Sequence, residues 1–303
     1  MGISSRNRFD TLTSGDDRHG MRQLDLFNDT APVQKANQVV EALLRRDWSV
    51  LPGALAELTK VDAEHHHAPK FERLCGLIHE WQHLLGAEEI GYEGRCHLRE
   101  VLNSALTSLA DDLMGDAAAD WVRPFWGELA EKFERMGERG KEEGAEAYLK
   151  AQRWSDVLRM ANAFSGKEMR PSVQRWLCLS HLALGHRDEA TQSLLRFSWL
   201  SPDCLERLIQ EASFAPWAQC WRGFQRNLGE LDNDWFPAWY LHEFRPLEWR
   251  FEAFPQTSAA RGYQILLGLL RSESRGIDRT LMADRAKLKN LCPEFFAFYL
   301  RHR

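Results

Sequence analysis

No C-x-x-C pair occurs in this chain, and its six cysteines (Cys75, Cys96, Cys178, Cys204, Cys220 and Cys292) lie far apart. That spacing speaks against a zinc knuckle or a disulfide framework and suits free, buried thiols in a reducing compartment. No apolar run approaches the ~18 residues that would span a bilayer. Residues 1–28 contain no apolar h-region, so a secretory signal is not expected. The chain is therefore expected to be soluble and cytoplasmic, with no membrane partner. Alternating strand patterns are missing, as are a phosphate-cradling G-x-x-x-x-G-K-S/T loop, a G-x-G-x-x-G turn and a G-x-S-x-G elbow. These gaps lower the expectation of an enzyme and of a cofactor. The formal net charge of −5 does not call for direct nucleic-acid binding. The C-terminal segment is locally basic (Arg271, Arg275, Arg279, Arg285, Lys287, Lys289, Arg301, Arg303), which fits a solvated helix face as well as a phosphate-binding patch.

What the sequence does have is helical periodicity. Apolar residues make up 44% of the 303 residues, enough for a substantial core. Val39, Val40, Leu43 and Leu44 recur at helical spacing, and Leu51, Leu55 and Leu58 do the same. Pro52 falls in the first turn of that second helix, where its missing N–H costs little. The 12 tryptophans are many for this length, and they are expected mainly to fill wedges between helices. Three regions follow. Residues 1–33 are polar with little periodicity and read as a flexible tail. Residues 34–215 read as a helical array. Residues 216–303 are dense in tryptophan, phenylalanine and proline and read as a C-terminal helical unit. Within it, Asp234 before Trp235-Phe236-Pro237 is expected to cap a helix start.

The clearest internal pattern is RWLCLSHLALGHRDEATQSLLRFSWLSPD. Trp176 and Leu177 sit on the first helix, Gly185 in the turn, Ala190 on the second helix and Pro202 at its end. Glycine suits the turn, alanine permits close packing and proline cannot continue a helix. The stretch resembles a tetratricopeptide repeat, with Cys178 in place of the usual glycine. AYLKAQRWSDVLRMANAF aligns one repeat upstream, with Val157 corresponding to Ala190 near the ~34-residue period of that class. LLRRDWSVLPGALAEL is a third echo, in which Asp47-Trp48-Ser49 resembles Arg153-Trp154-Ser155. The match is fair over 169–202 and weak over 145–168 and 36–62. The resemblance implies an all-α fold, an α-α superhelix of tetratricopeptide-like helix pairs that offers a concave groove to protein partners.

In the tail stands Gln23-Leu24-Asp25-Leu26-Phe27. This is similar at every position to the pentapeptide by which bacterial polymerases and repair proteins dock on the sliding clamp. The resemblance implies that Gln23 hydrogen bonds at one end of the clamp pocket. It also implies that Leu26 and Phe27 fill the apolar subsite and that Leu24 adds apolar contact. A short peptide in a flexible tail is well placed to order on a partner. The bland reading is that Leu24, Leu26 and Phe27 staple the tail onto the helical body.

His79-Glu80-Trp81-Gln82-His83 resembles the H-E-x-x-H motif of zinc peptidases, in which two histidines one turn apart hold zinc and the glutamate activates water. Gly86 and Glu89 follow, but that family's extended form uses His or Asp as third ligand. Leu74, Leu77, Ile78, Trp81, Leu84 and Leu85 form one apolar stripe, which places His79 and His83 on the opposite, solvated face. Glu64-His65-His66-His67 precedes Pro69 and reads as a surface loop. The leading expectation is a non-enzymatic adaptor without a metal, recruited to the clamp by its tail. Two alternatives stay open: a helical scaffold with no DNA link, and a zinc peptidase using the HEWQH helix.

Overall fold

A computed structural model of the chain describes residues 30–273 and 279–302. The pentapeptide Gln23 to Phe27, together with Arg275 and Arg303, lies outside the described residues. The described residues contain no strand, and no helix among them is long and apolar enough to cross a membrane. The described residues form two compact units, divided between Pro124 and Phe125.

In the first unit, α1 (Ala31–Leu44) and α2 (Leu51–Val61) form a helical hairpin. Each carries proline in its first turn, where the absent amide leaves no helical bond unmade. Helix α1 therefore begins at Ala31, a few residues ahead of the apolar periodicity. The chain turns at Arg46, whose φ is +56°, and Asp47 accepts from the Ser49 hydroxyl at 2.7 Å. Helix α3 (Ala68–Gly86) follows, then α4 (Tyr92–Glu100) and α5 (Thr107–Met114), joined by a π-helical segment Val101–Leu106. There the Thr107 hydroxyl donates to the Leu102 carbonyl five residues back, at 2.5 Å. Lys70 on α3 pairs with Asp112 on α5 at 2.9 Å. The unit's core holds Val39, Leu43, Phe71, Leu74, Ile78, Trp81 and Leu102, all essentially without solvent contact. Trp121, on α6 (Ala118–Arg135), donates its indole N–H to the Leu43 carbonyl at 2.6 Å. The units divide at Pro124 within α6, where the helix lacks one amide donor.

The second unit continues with α7 (Lys141–Lys150), α8 (Trp154–Asn162), α9 (Pro171–Ala183), α10 (Arg187–Leu200) and α11 (Leu205–Ala212). These helices pack against their chain neighbours, and α9 also touches α7 and α11. The α9–α10 turn depends on Gly185, whose φ of +80° suits a residue without Cβ. The equivalent α7–α8 turn places the non-glycine Gln152 at φ +56°, as Arg46 does between α1 and α2. Ala190 is fully buried where α10 meets α9, and Pro202 opens the 3-10 turn after α10.

Helices α12 (Ala215–Leu228), α13 (Phe236–Phe244), α14 (Ser258–Glu273), α15 (Arg279–Leu291) and α16 (Pro293–Arg301) complete the chain. Helix α10 packs on α13, and α16 returns to α12. A single core thus runs from Cys178 on α9 to Tyr299 on α16. Asp234 does not cap α13: it lies in a 3-10 turn ahead of Trp235, which occupies the N-cap position, and one of its carboxylate oxygens is buried without a partner. Gly262 is required for close packing, since a Cβ there would stand 2.5 Å from the Trp235 ring. Nine of the 12 tryptophans are buried, so they act chiefly as core. All six cysteines are free thiols.

Candidate functional site

On α3, Leu74, Ile78 and Trp81 face the core while His79, Glu80 and His83 are exposed. Glu80 meets the Nε2 of His97 on α4 at 2.8 Å, so the carboxylate that would activate water is engaged with another side chain. In the loop before α3, the rings of His66 and His67 lie 3.8 Å apart and those of His65 and His66 4.9 Å apart. Burial lowers the pKa of His65 and His67, and the neighbouring His66 acts in the same direction. Among the described residues no group of three histidine, cysteine or carboxylate side chains is arranged to hold a metal ion.

The most developed surface feature lies where the first helices of successive hairpins meet. Arg175 projects from α9 between Glu146 on α7 and Glu211 on α11. Its Nη1 donates to Glu146 at 3.0 Å and its Nε to Glu211 at 2.9 Å, with a second bond from Nη2 to Glu211. The neighbouring Trp176 donates its indole N–H to the same Glu146 oxygen at 2.8 Å. Burial works against the Arg175 charge, but the hydrogen bonds and charges of the two glutamates outweigh it and raise its pKa. Beside this ladder opens a cavity of about 530 Å³ between α9, α10 and α11. Phe197 and Leu208 form its apolar lining, and Arg207 and Gln210 supply donors at its edge. Arg207 reaches Cys204 Sγ at 3.1 Å. Such a surface, apolar at its base and charged at its rim, suits a peptide or a protein loop.

A second network ties α6, α7 and α8. Glu134 accepts from the Tyr148 hydroxyl at 2.6 Å and from both terminal nitrogens of Arg159. Arg153 joins Glu131 at 2.6 Å to Asp156 at 2.8 Å and lies over the Tyr148 ring, its guanidinium carbon 4.7 Å from the centroid. The Arg159 bonds, then the Tyr148 bond, hold the Glu134 carboxyl below its ordinary pKa. Burial, and then the same glutamate, raise the pKa of the Tyr148 hydroxyl. This network braces the helices.

In comparisons with known proteins, the chain matches no family model, no curated protein and no solved structure. Sequence reading singled out the exposed α3 histidines, which the fold does not bring together with further ligands. It passed over Glu146, Arg175 and Glu211. Their separations, 29 and 36 residues, straddle the ~34-residue hairpin period without matching it, so a search of the sequence at that period misses them. In the basic C-terminal segment, Lys287 pairs with Asp284 at 2.7 Å, Arg271 donates to the Leu247 carbonyl, and Arg285 lies 3.5 Å from the Tyr299 hydroxyl. These contacts favour intramolecular roles over a phosphate patch.

Proposed function

We propose that the chain is a non-enzymatic scaffold of tetratricopeptide-like helix pairs that holds a protein partner along its first helices. We further propose that Gln23 to Phe27 recruits it to a bacterial sliding clamp. The observation that carries the scaffold reading is the contact of α7 with α9 and of α9 with α11, beside an apolar cavity rimmed by Arg175, Arg207 and Glu211. In repeat arrays, first helices that stack in line give a continuous surface for an extended ligand. The recruitment reading is supported by the complete pentapeptide match and by its position three residues before Thr30, ahead of the first helix. The test is titration of a labelled peptide of residues 15–33 onto the host's sliding clamp. The expected result is saturable binding that an unlabelled clamp ligand competes away. A flat titration up to hundreds of micromolar would remove the clamp and leave a scaffold with no DNA link.

A further inference from the structure

The turn between α2 and α3 carries Glu64-His65-His66-His67, and its folded shape depends on the charge state of one imidazole. His65 Nδ1 accepts the backbone N–H of His67 at 3.3 Å. His67 is the N-cap residue of α3, and its carbonyl receives the Phe71 amide at 3.0 Å. The His65 carbonyl receives the Ala68 amide at 2.9 Å. A ring nitrogen that accepts a hydrogen bond must be unprotonated. One neutral ring thus closes the turn that starts α3, with α2 and α3 packed on each other to either side of it.

Protonation acts against this turn in three ways. An imidazolium carries a hydrogen on both nitrogens, so a protonated His65 sets its own N–H against the N–H of His67. The three rings crowd one another, with centroids 4.9 Å apart for His65 and His66, 3.8 Å for His66 and His67, and 5.9 Å for His65 and His67, so charges placed on them repel. They also stand at the N-terminus of α3, where the helix dipole opposes positive charge. The surroundings offer little relief. His67 Nδ1 is buried without a hydrogen-bond partner, so the N–H of an imidazolium finds no acceptor there. Asp62 attracts charge on His65, but its carboxylate accepts the Glu64 amide at 3.3 Å. Asp112 on α5 attracts charge on His67, but it pairs with Lys70 at 2.9 Å, and Lys70 itself repels that charge. Glu64 is exposed. Burial first, and then His66, hold the pKa of both His65 and His67 below the ordinary 6.5. The stability contributed by the neutral turn is therefore present above about pH 6.5 and is lost as pH falls below it.

We infer that the turn at His65, His66 and His67 is an acid-sensitive latch on the start of α3. At neutral pH the bond from the His67 amide to His65 closes it. In mildly acid solution the loss of that bond and the repulsion among the three rings open it. Opening frees residues 68–71, the first turn of α3, where the Phe71 ring lies 6.2 Å from that of His67. The helix beyond stays held through Leu74, Ile78 and Trp81, which are buried in the core, so the change is local.

Hydrogen exchange at the amides of residues 68–71 in the full chain reads the latch. Wild type is compared with His65→Asn, whose side-chain oxygen can accept the His67 amide but takes up no proton in this pH range. The two are compared at the same pH, so the chemical exchange rate cancels. At about pH 7.5 they are expected to exchange alike. At about pH 5.5 wild type is expected to exchange more than about twofold faster, up to a limit of about tenfold for one proton of ordinary pKa 6.5 excluded from the closed turn. A ratio of wild type to variant that changes by less than about twofold between these pH values overturns the inference. Exchange that rises in parallel at α9 and α10 also overturns it, because acid then unfolds the chain generally. If His65→Asn is already open at about pH 7.5, His66→Gln decides, since it keeps the bond to His65 and removes the charge of an exposed neighbour. Slower exchange than wild type at about pH 5.5 then supports the latch, and exchange equal to wild type overturns it.

Discussion

Trp176 on α9 is anchored to Glu146 on α7: its indole N–H donates to the carboxylate at 2.8 Å, on the oxygen that also receives Arg175. Two adjacent side chains of one helix thus converge on one acceptor of another, and the ring of Trp176 is itself buried. Removing the acceptor leaves a buried indole N–H and a largely buried guanidinium short of a partner. Glu146→Ala is therefore expected to destabilise by about 1–2 kcal/mol, lowering Tm by about 3–6 °C for a unit of this size. Glu146→Gln keeps an acceptor for Trp176 and should lose less. Thermal denaturation followed by circular dichroism checks both, and equal losses for Ala and Gln would show that the carboxylate charge alone matters.

The all-helical class was legible because apolar residues recur at helical spacing from Val39 onward, and the structure has helices there. The α9–α10 hairpin was legible from Gly185, Ala190 and Pro202, each of which performs locally the task its chemistry suggests. Asp234 misled, because a carboxylate before an aromatic-proline run looks like a cap, yet burial turns it inward and raises its pKa. The Glu146–Arg175–Glu211 pairs escaped notice because an ion pair between neighbouring helices has no local signature. Glu146 and Arg175 look like solvated surface until the fold sets α7 beside α9.

Glu134 gives a pH signature. Its carboxyl pKa is depressed below the ordinary 4.5 in the folded chain, first by Arg159 and then by Tyr148. A depressed carboxylate contributes stability that is fully present above the unfolded value and is lost as pH falls through the folded value. Wild type is therefore expected to exceed Glu134→Gln in Tm by a constant margin above about pH 5. That margin should shrink as pH falls below about 4. A margin independent of pH between 3 and 6 would show that the Glu134 charge contributes nothing.

Zinc provides a test of α3. His79 and His83 are exposed, and Glu80 is paired with His97. Protein purified without a histidine tag is expected to carry no stoichiometric zinc and to keep its Tm when a chelator is added, since a structural metal contributes folding energy directly. One zinc per chain, lost in His79→Ala and accompanied by a fall in Tm, would replace the scaffold reading with a peptidase.

Recruitment to the clamp makes the most specific demand on single residues. A linear peptide gives up conformational freedom when it binds, so the affinity of residues 15–33 for the clamp should be about micromolar in Kd, or roughly 8 kcal/mol. A few buried side chains carry most of such an interface. Leu26→Ala with Phe27→Ala should therefore abolish binding, at a cost above about 3 kcal/mol. Leu24→Ala should weaken it less, because Leu24 adds contact without filling the apolar subsite. Asp25→Ser should be tolerated, since the clamp-binding pattern accepts either residue. Gln23→Ala removes a hydrogen bond, worth about 1 kcal/mol, and should raise Kd several-fold. The ordering of these four effects is more diagnostic than any one of them. Fluorescence anisotropy on the peptide panel reads the order without interference from the helical body. If Gln23→Ala and Asp25→Ser prove as damaging as the double apolar variant, the contact is electrostatic rather than anchored by Leu26 and Phe27, and the likeness to the clamp pentapeptide is coincidental.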